Sequence, residues 1–145
     1  MLYGISPIPN VTADELGLRP AMTLSTQLIS VRQVPEGETV GYNGMWRAQR
    51  PSMIGIAAIG YGDGYPRHAS AGTPVLVNGV RVPIIGRVSM DLMTLDLRGI
   101  PDAKVGDDVL LWGPELPVEI IAKAAGSISY ELTCSITRRV RFIEA

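Results

Sequence analysis

Thr73-Pro74-Val75-Leu76-Val77-Asn78-Gly79-Val80-Arg81-Val82-Pro83-Ile84-Ile85 is the stretch that decides the fold. Asn-Gly between two apolar, alternating arms is the strongest short-range signal for a β-hairpin. One strand runs into the turn through Val75, Leu76 and Val77, and a second returns through Val80, Val82 and Ile84. The flanks read the same way. Met53 to Ile59 is almost wholly apolar, as for a strand buried on both faces. Met22 to Val34 is rich in Thr, Ser, Ile and Val, which favours strand. Pro35-Glu36-Gly37-Glu38 reads as a turn, with a short strand near Thr39 to Gly41. Downstream, Gly86 to Leu97 is expected as a long strand, with Val88, Met90, Leu92, Thr94 and Asp96 alternating with Ser89, Asp91, Met93 and Leu95. Asp107 to Trp112 gives a further short strand.

The period changes late in the chain. Val118, Ile121 and Ala125 are three or four apart, Pro117 suits a first helical turn, and Gly126 ends the helix. Ser127 to Ile136 reads as a second short helix, capped by Ser129, with Glu131 near its start. Arg138 to Ile143 is expected to close the chain as a strand. Residues 1–20 hold Pro7, Pro9, Gly17 and Pro20 and read as an irregular lead-in. Its apolar opening, Met1-Leu2-Tyr3-Gly4-Ile5-Ser6-Pro7, reads like the tail of an element whose beginning is missing. Many short strands, regular turns and late short helices predict a mainly β, barrel-like single domain, with the barrel over 21–145.

The chain has 145 residues, enough to bury about 68–70% of its unfolded surface. It is 46% apolar and only 19% charged, which suggests that part of its apolar surface meets another domain or subunit. A net charge of −1 gives no electrostatic grip on nucleic acid. Cys134 is the sole cysteine, so no internal disulfide framework exists, as fits a reducing, cytoplasmic compartment. Its simplest reading is a small buried hydrophobe. No 18-residue apolar run and no signal-like start are present, so neither a membrane span nor a signal peptide is expected.

Chemistry concentrates in Tyr61-Gly62-Asp63-Gly64-Tyr65-Pro66-Arg67, whose glycines allow a phenol, a carboxylate and a guanidinium to gather at one end of a sheet. Of five tyrosines, Tyr42, Tyr61 and Tyr130 sit beside Gly, Asp or Ser rather than inside apolar runs. A phenol titrates near pH 10 and needs nearby cations or donors to act as a base. The plain alternative is a core tyrosine whose hydroxyl reaches the surface. Gly86-Arg87-Val88-Ser89-Met90-Asp91 is either an ordinary edge strand, or a place where Arg87 and the backbone around Met90 face an anionic ligand. Asp63 has no second carboxylate at ligand spacing, so no metal site emerges, and Gly60, Gly62 and Gly64 do not fit the dinucleotide fingerprint. His68 reads as a solvent-exposed loop residue, and Arg138, Arg139 and Arg141 as a solvated strand end or an ion-pair surface.

Taken in order, four segments resemble the C-terminal domain of pyridoxal-phosphate-dependent alanine racemase. They are Val40-Gly41-Tyr42-Asn43-Gly44-Met45-Trp46, Ile59 to Arg67, Val82 to Asp91, and Ser129-Tyr130-Glu131-Leu132. Met1 to Pro7 is similar to the family's crossing from first to second domain, and Leu18-Arg19-Pro20-Ala21-Met22 to the start of its barrel. Each piece alone is weak, but the four in order are highly specific. The resemblance covers almost the whole chain. It implies a two-domain enzyme that interconverts L- and D-alanine, a cell-wall precursor, with the cofactor carried on a lysine of an N-terminal α/β barrel. That barrel has no matching segment here, nor has the arginine set against the cofactor ring nitrogen. The resemblance also implies a head-to-tail homodimer, in which this domain covers the partner's barrel mouth.

By the same resemblance Tyr42 is the catalytic acid or base on one face of the substrate, with the lysine on the other. Tyr130 bonds the cofactor phosphate, and the backbone N–H of Met90 holds the substrate carboxylate. Tyr61, Arg67, Arg87 and Ile128 line the access corridor, whose narrow inner part is Tyr61 with Tyr130, while Asp91 orients its neighbours. Asn43-Gly44-Met45 and Ser89 depart from the commoner family forms and leave the tyrosine in place. The isolated chain is expected to be inactive. Two other readings stand beside this one: the β domain of a related racemase or decarboxylase on the same cofactor, and a stand-alone β-barrel binding module.

Overall fold

The computed structural model describes residues 1–8 and 11–144, and the backbone alone of Tyr42. Its strands are β1 (Leu24–Val34), β2 (Thr39–Val40), β3 (Trp46–Arg47), β4 (Ser52–Ala57), β5 (Pro74–Val77), β6 (Val80–Ile85), β7 (Met93–Asp96) and β8 (Asp108–Trp112). Two helices follow, α1 (Val118–Ala125) and α2 (Ser129–Cys134). Six strands close an antiparallel barrel in the order β1-β4-β7-β6-β5-β8, and β2 and β3 form a separate ribbon.

The decisive hairpin forms as its sequence demands. Asn78 and Gly79 both take positive φ, 48° and 78°, and Val77 pairs with Val80 across the turn. Closure depends on β1, which pairs with β8 through Leu24–Gln27 and with β4 through Leu28–Val34. Its register slips between Leu28 and Ser30. Such an irregularity bends a strand, which lets one long strand serve two neighbours around the barrel. Leu28, Val75, Val77, Ile84, Leu95, Val109 and Leu111 fill the interior, and Ile121 and Leu132 bring the two helices onto it. A second small core of Val34, Val40, Ala48, Ile54 and Ile85 seats the β2–β3 ribbon against the barrel.

Four expectations are corrected. Only Met93–Asp96 of the segment 86–97 is strand. Gly86 turns the chain at φ 71°, and a turn from Ser89 N–H to the Leu92 carbonyl (2.9 Å) follows, so the apolar alternation there belongs to a loop. Residues 138–143 form no strand, because a closed barrel leaves no free edge for another strand to join. Ser129 is the first residue of α2 rather than its cap. Ile128 precedes it in extended conformation, and no side chain caps the helix. Cys134 is exposed, not buried. Two positions beyond Leu132, it falls away from the face that Ser129 and Leu132 bury. Pro117 stands just ahead of the first turn of α1, and Gly126 ends that helix at φ 64°. In β4, Met53 and Ile56 are half-buried while the other four residues are buried.

Candidate functional site

Three segments distant in sequence meet where β4 and β6 end and β7 begins. After β4, Tyr61–Asp63 makes a single 3-10 turn, which the Asp63 carboxylate closes by accepting the Gly60 N–H at 2.9 Å. This turn lies on the loop after β6. Tyr61 N–H donates to the Ser89 carbonyl (3.0 Å), and Gly62 N–H to the Met90 carbonyl (2.8 Å). Glycine at 60 is a matter of room: a Cβ there would run into the carbonyl oxygens of Ser89 and Met90. The third segment follows α2. Thr137 N–H donates to the Asp63 carbonyl and its hydroxyl to the Gly62 carbonyl, both at 3.0 Å. Arg139 then bridges two carboxylates, with Nε 3.3 Å from Asp63 and its terminal nitrogen on Asp91. The bond it donates to Asp91, with the charge of Asp63, holds the guanidinium above its ordinary pKa.

Tyr61 and Arg67 come together, with the guanidinium 5.8 Å from the ring centroid. Both border an open hollow of about 380 Å³ that Ser127, Glu131 and Ser135 line from the α2 side. Tyr61 is also tied to Met90 through the backbone bonds above. Met90 is 51% exposed, and its N–H donates to nothing among the described residues. Arg87 is exposed, and Ile128 is 66% exposed just ahead of α2. Tyr130 is half-buried and faces the lead-in rather than the hollow. Its hydroxyl reaches the Ile5 carbonyl at 3.3 Å and touches the amino nitrogen of Met1. Tyr42 opens the turn Tyr42–Gly44 at the end of the β2–β3 ribbon, and its side chain lies outside the described residues. The backbone beside it approaches the site: a Cβ on Gly41 would come 3.9 Å from Cα of Gly86, next to Arg87.

Tyr65, in the same loop as Tyr61, belongs to the core. It stacks on Trp112 with centroids 6.0 Å apart, and neither its hydroxyl nor the indole N–H has a partner among the described residues. Burial pushes its phenol pKa up, away from any role as a base. His68 is exposed, and no cluster of three or more His, Cys, Asp or Glu residues among the described ones could hold a metal. The chain's two lysines lie elsewhere: Lys104 in the turn before β8 and Lys123 in the last turn of α1. Of the two readings of the arginines at 138, 139 and 141, the ion pair holds for Arg139, but its place beside the site was not legible. Nothing local marked it among three arginines, and its partners lie 48 and 76 positions upstream.

A family model described as "Alanine racemase, C-terminal domain" matches residues 21–144. The chain belongs to the alanine racemase C-terminal domain family. It is 55% identical over 140 residues to the alanine racemase of Nitrosococcus oceani, covering 97% of this chain and 39% of that protein. It is 58% identical over 141 residues to that of Shewanella amazonensis, covering 96% and 38%. Among solved structures, the biosynthetic alanine racemase of Pseudomonas aeruginosa superposes with a TM-score of 0.93 at 54% identity, over 96% of this chain and 39% of that one. That of Acinetobacter baumannii gives 0.91 at 41% identity, over the same shares. The chain therefore spans about 39% of the length of the alanine racemases it matches. No described helix is long and apolar enough to cross a membrane.

Proposed function

We propose that this chain is the C-terminal part of an alanine racemase that interconverts L- and D-alanine with pyridoxal phosphate in the cytoplasm. Its part is to bring Tyr42 and Met90 to a site whose remainder lies in an N-terminal α/β barrel. The observation that carries this reading is the match of 97% of the chain to 39% of the length of the Nitrosococcus oceani alanine racemase, at 55% identity. The donor chemistry fits a cofactor held mainly elsewhere. The loop cluster offers the exposed phenol of Tyr61 and the open amide of Met90, and neither lysine of the chain stands there to bind an aldehyde. Tyr130 is the residue that bonds a phosphate oxygen in this reading; its half-buried hydroxyl now donates to the Ile5 carbonyl at 3.3 Å and would turn to the phosphate instead.

Pyridoxal phosphate supplies the electron sink that lets the α-proton of alanine depart. Racemisation then requires proton exchange on both faces of a planar carbon, hence two groups on opposite sides. The phenolic oxygen of Tyr42 takes or returns the proton on one face. A phenol needs a lowered pKa for this, which cations of the completed site would provide. The free N–H of Met90 donates to the substrate carboxylate and fixes which face Tyr42 sees. Tyr61, Arg67, Arg87 and Ile128 line the route inward, and the two exposed guanidiniums favour an anionic carboxylate. In the assembled enzyme a second subunit provides the barrel that this domain covers, head to tail. The test is racemisation of L-alanine by the longer protein that contains this chain, beside the 145-residue chain with added cofactor. Turnover by the first and none by the second is expected; turnover by the short chain would overturn the division of labour.

A further inference from the structure

We infer that Arg139 is a positioning residue: by bridging Asp63 and Asp91 it fixes the loop that presents the Met90 N–H to the substrate carboxylate. The inference rests on the reading of Met90 given above and extends it to a residue outside the site itself.

Three observations carry it. The first is connectivity. Met90 lies in a loop (86–92) with one internal turn bond, Ser89 N–H to Leu92. Val88 anchors the loop to the core, and the loop's polar ties around Met90 among the described residues are the two bonds received from Tyr61 and Gly62 and the contact of Asp91 with Arg139. The Tyr61 loop is held in turn by Thr137 and Arg139, so the segment after α2 anchors both loops at once. The second is charge. Asp63 and Asp91 both converge on this one guanidinium. Without the cation, two like charges would face each other across the contact between the loops and push it open. The third is fit. The fork of a guanidinium can meet two carboxylates at once, which a lysine cannot do with the same geometry. A Cβ on Gly62 would collide with a terminal nitrogen of Arg139.

The bridge is half exposed, so its contribution to global stability is small, as for surface ion pairs in general. Its effect is local. A loop free to move by about 1 Å no longer keeps its amide aligned, and such misplacement costs on the order of tenfold to a hundredfold in catalytic efficiency. The loss falls chiefly on KM, because the carboxylate contact is made before the proton moves.

The experiment uses the full-length enzyme with Arg139→Met and Arg139→Lys, and with Arg81→Met as control. Arg81 is exposed beside the Asn78-Gly79 turn, at the end of β6 opposite the site, and its loss should leave activity unchanged. For Arg139→Met we expect KM for alanine to rise roughly tenfold while kcat falls less than about threefold. Arg139→Lys should fall between wild type and Arg139→Met. Hydrogen exchange of the cofactor-free enzyme should quicken in peptides covering 60–64 and 86–92, but not in β4 or β7. Wild-type KM in Arg139→Met, or unchanged exchange in both loops, overturns the inference. Failure of the underlying reading has a different signature: Tyr42→Phe would then keep wild-type racemisation, whatever Arg139→Met does.

Discussion

Gly60→Ala separates the effect of loop contact from that of backbone strain. Gly60 has φ −152° and ψ −164°, extended backbone open to any residue, so alanine adds no conformational strain. The cost is steric. Its Cβ would stand 2.2 Å from the Ser89 carbonyl oxygen and 2.4 Å from that of Met90. Both are main-chain atoms and cannot rotate away. Restoring an ordinary separation of about 3.5 Å requires the two loops to part by about 1 Å. The bonds from Tyr61 and Gly62 to this loop, now 3.0 and 2.8 Å, then break. At about 1 kcal/mol each, the domain loses about 2 kcal/mol. In the full-length enzyme the same displacement of Met90 lowers kcat/KM by about a hundredfold. Gly79→Ala is the matched opposite, with φ 78° and no atom within 4 Å of a new Cβ. It should cost about 1 kcal/mol through strain alone and leave kcat/KM untouched. Urea unfolding and steady-state kinetics in both directions measure the pair. Wild-type kcat/KM in Gly60→Ala would refute the claim that this contact positions Met90.

Tyr65→Phe removes a buried hydroxyl that has no partner among the described residues, and should leave stability unchanged or raise it by up to about 1 kcal/mol in urea unfolding. Asp96 is buried. Desolvation works to raise its pKa, but the bonds from the Arg98 side chain and backbone, with the charges of Arg98 and Arg50, hold it below the ordinary value. Its stabilisation is therefore complete above the unfolded carboxylate pKa and fades as pH falls through the lower folded one. Asp96→Asn should lower stability by about 1–3 kcal/mol at neutral pH. The gap in urea midpoint between wild type and variant should narrow only below about pH 4.

The barrel was largely legible because its strongest signals are local. Asn78-Gly79 sets its hairpin from two residues, and the periodic shift at Val118 marks α1 within three turns. What failed was non-local. Alternation over 86–97 reads as strand, yet the turn at Gly86 and the bonds from Tyr61 and Gly62 make 86–92 a loop. Nothing in 138–143 reveals that every barrel edge is already paired. The exposure of Cys134 depends on which face of α2 meets the core. The order of four motifs pointed to the family. The contact between two of them, at 60–62 and 89–90, is not legible in the sequence, because it depends on main-chain bonds between loops about thirty residues apart and on an arginine 48 residues beyond Asp91.

The central claim is that Tyr42 acts on one face of the substrate carbon. It is tested most directly in the full-length enzyme carrying Tyr42→Phe, by following exchange of the α-hydrogen of L-alanine and of D-alanine separately with solvent deuterium. The account predicts that exchange from one enantiomer largely disappears while exchange from the other persists. Equal loss from both, or none from either, would contradict it.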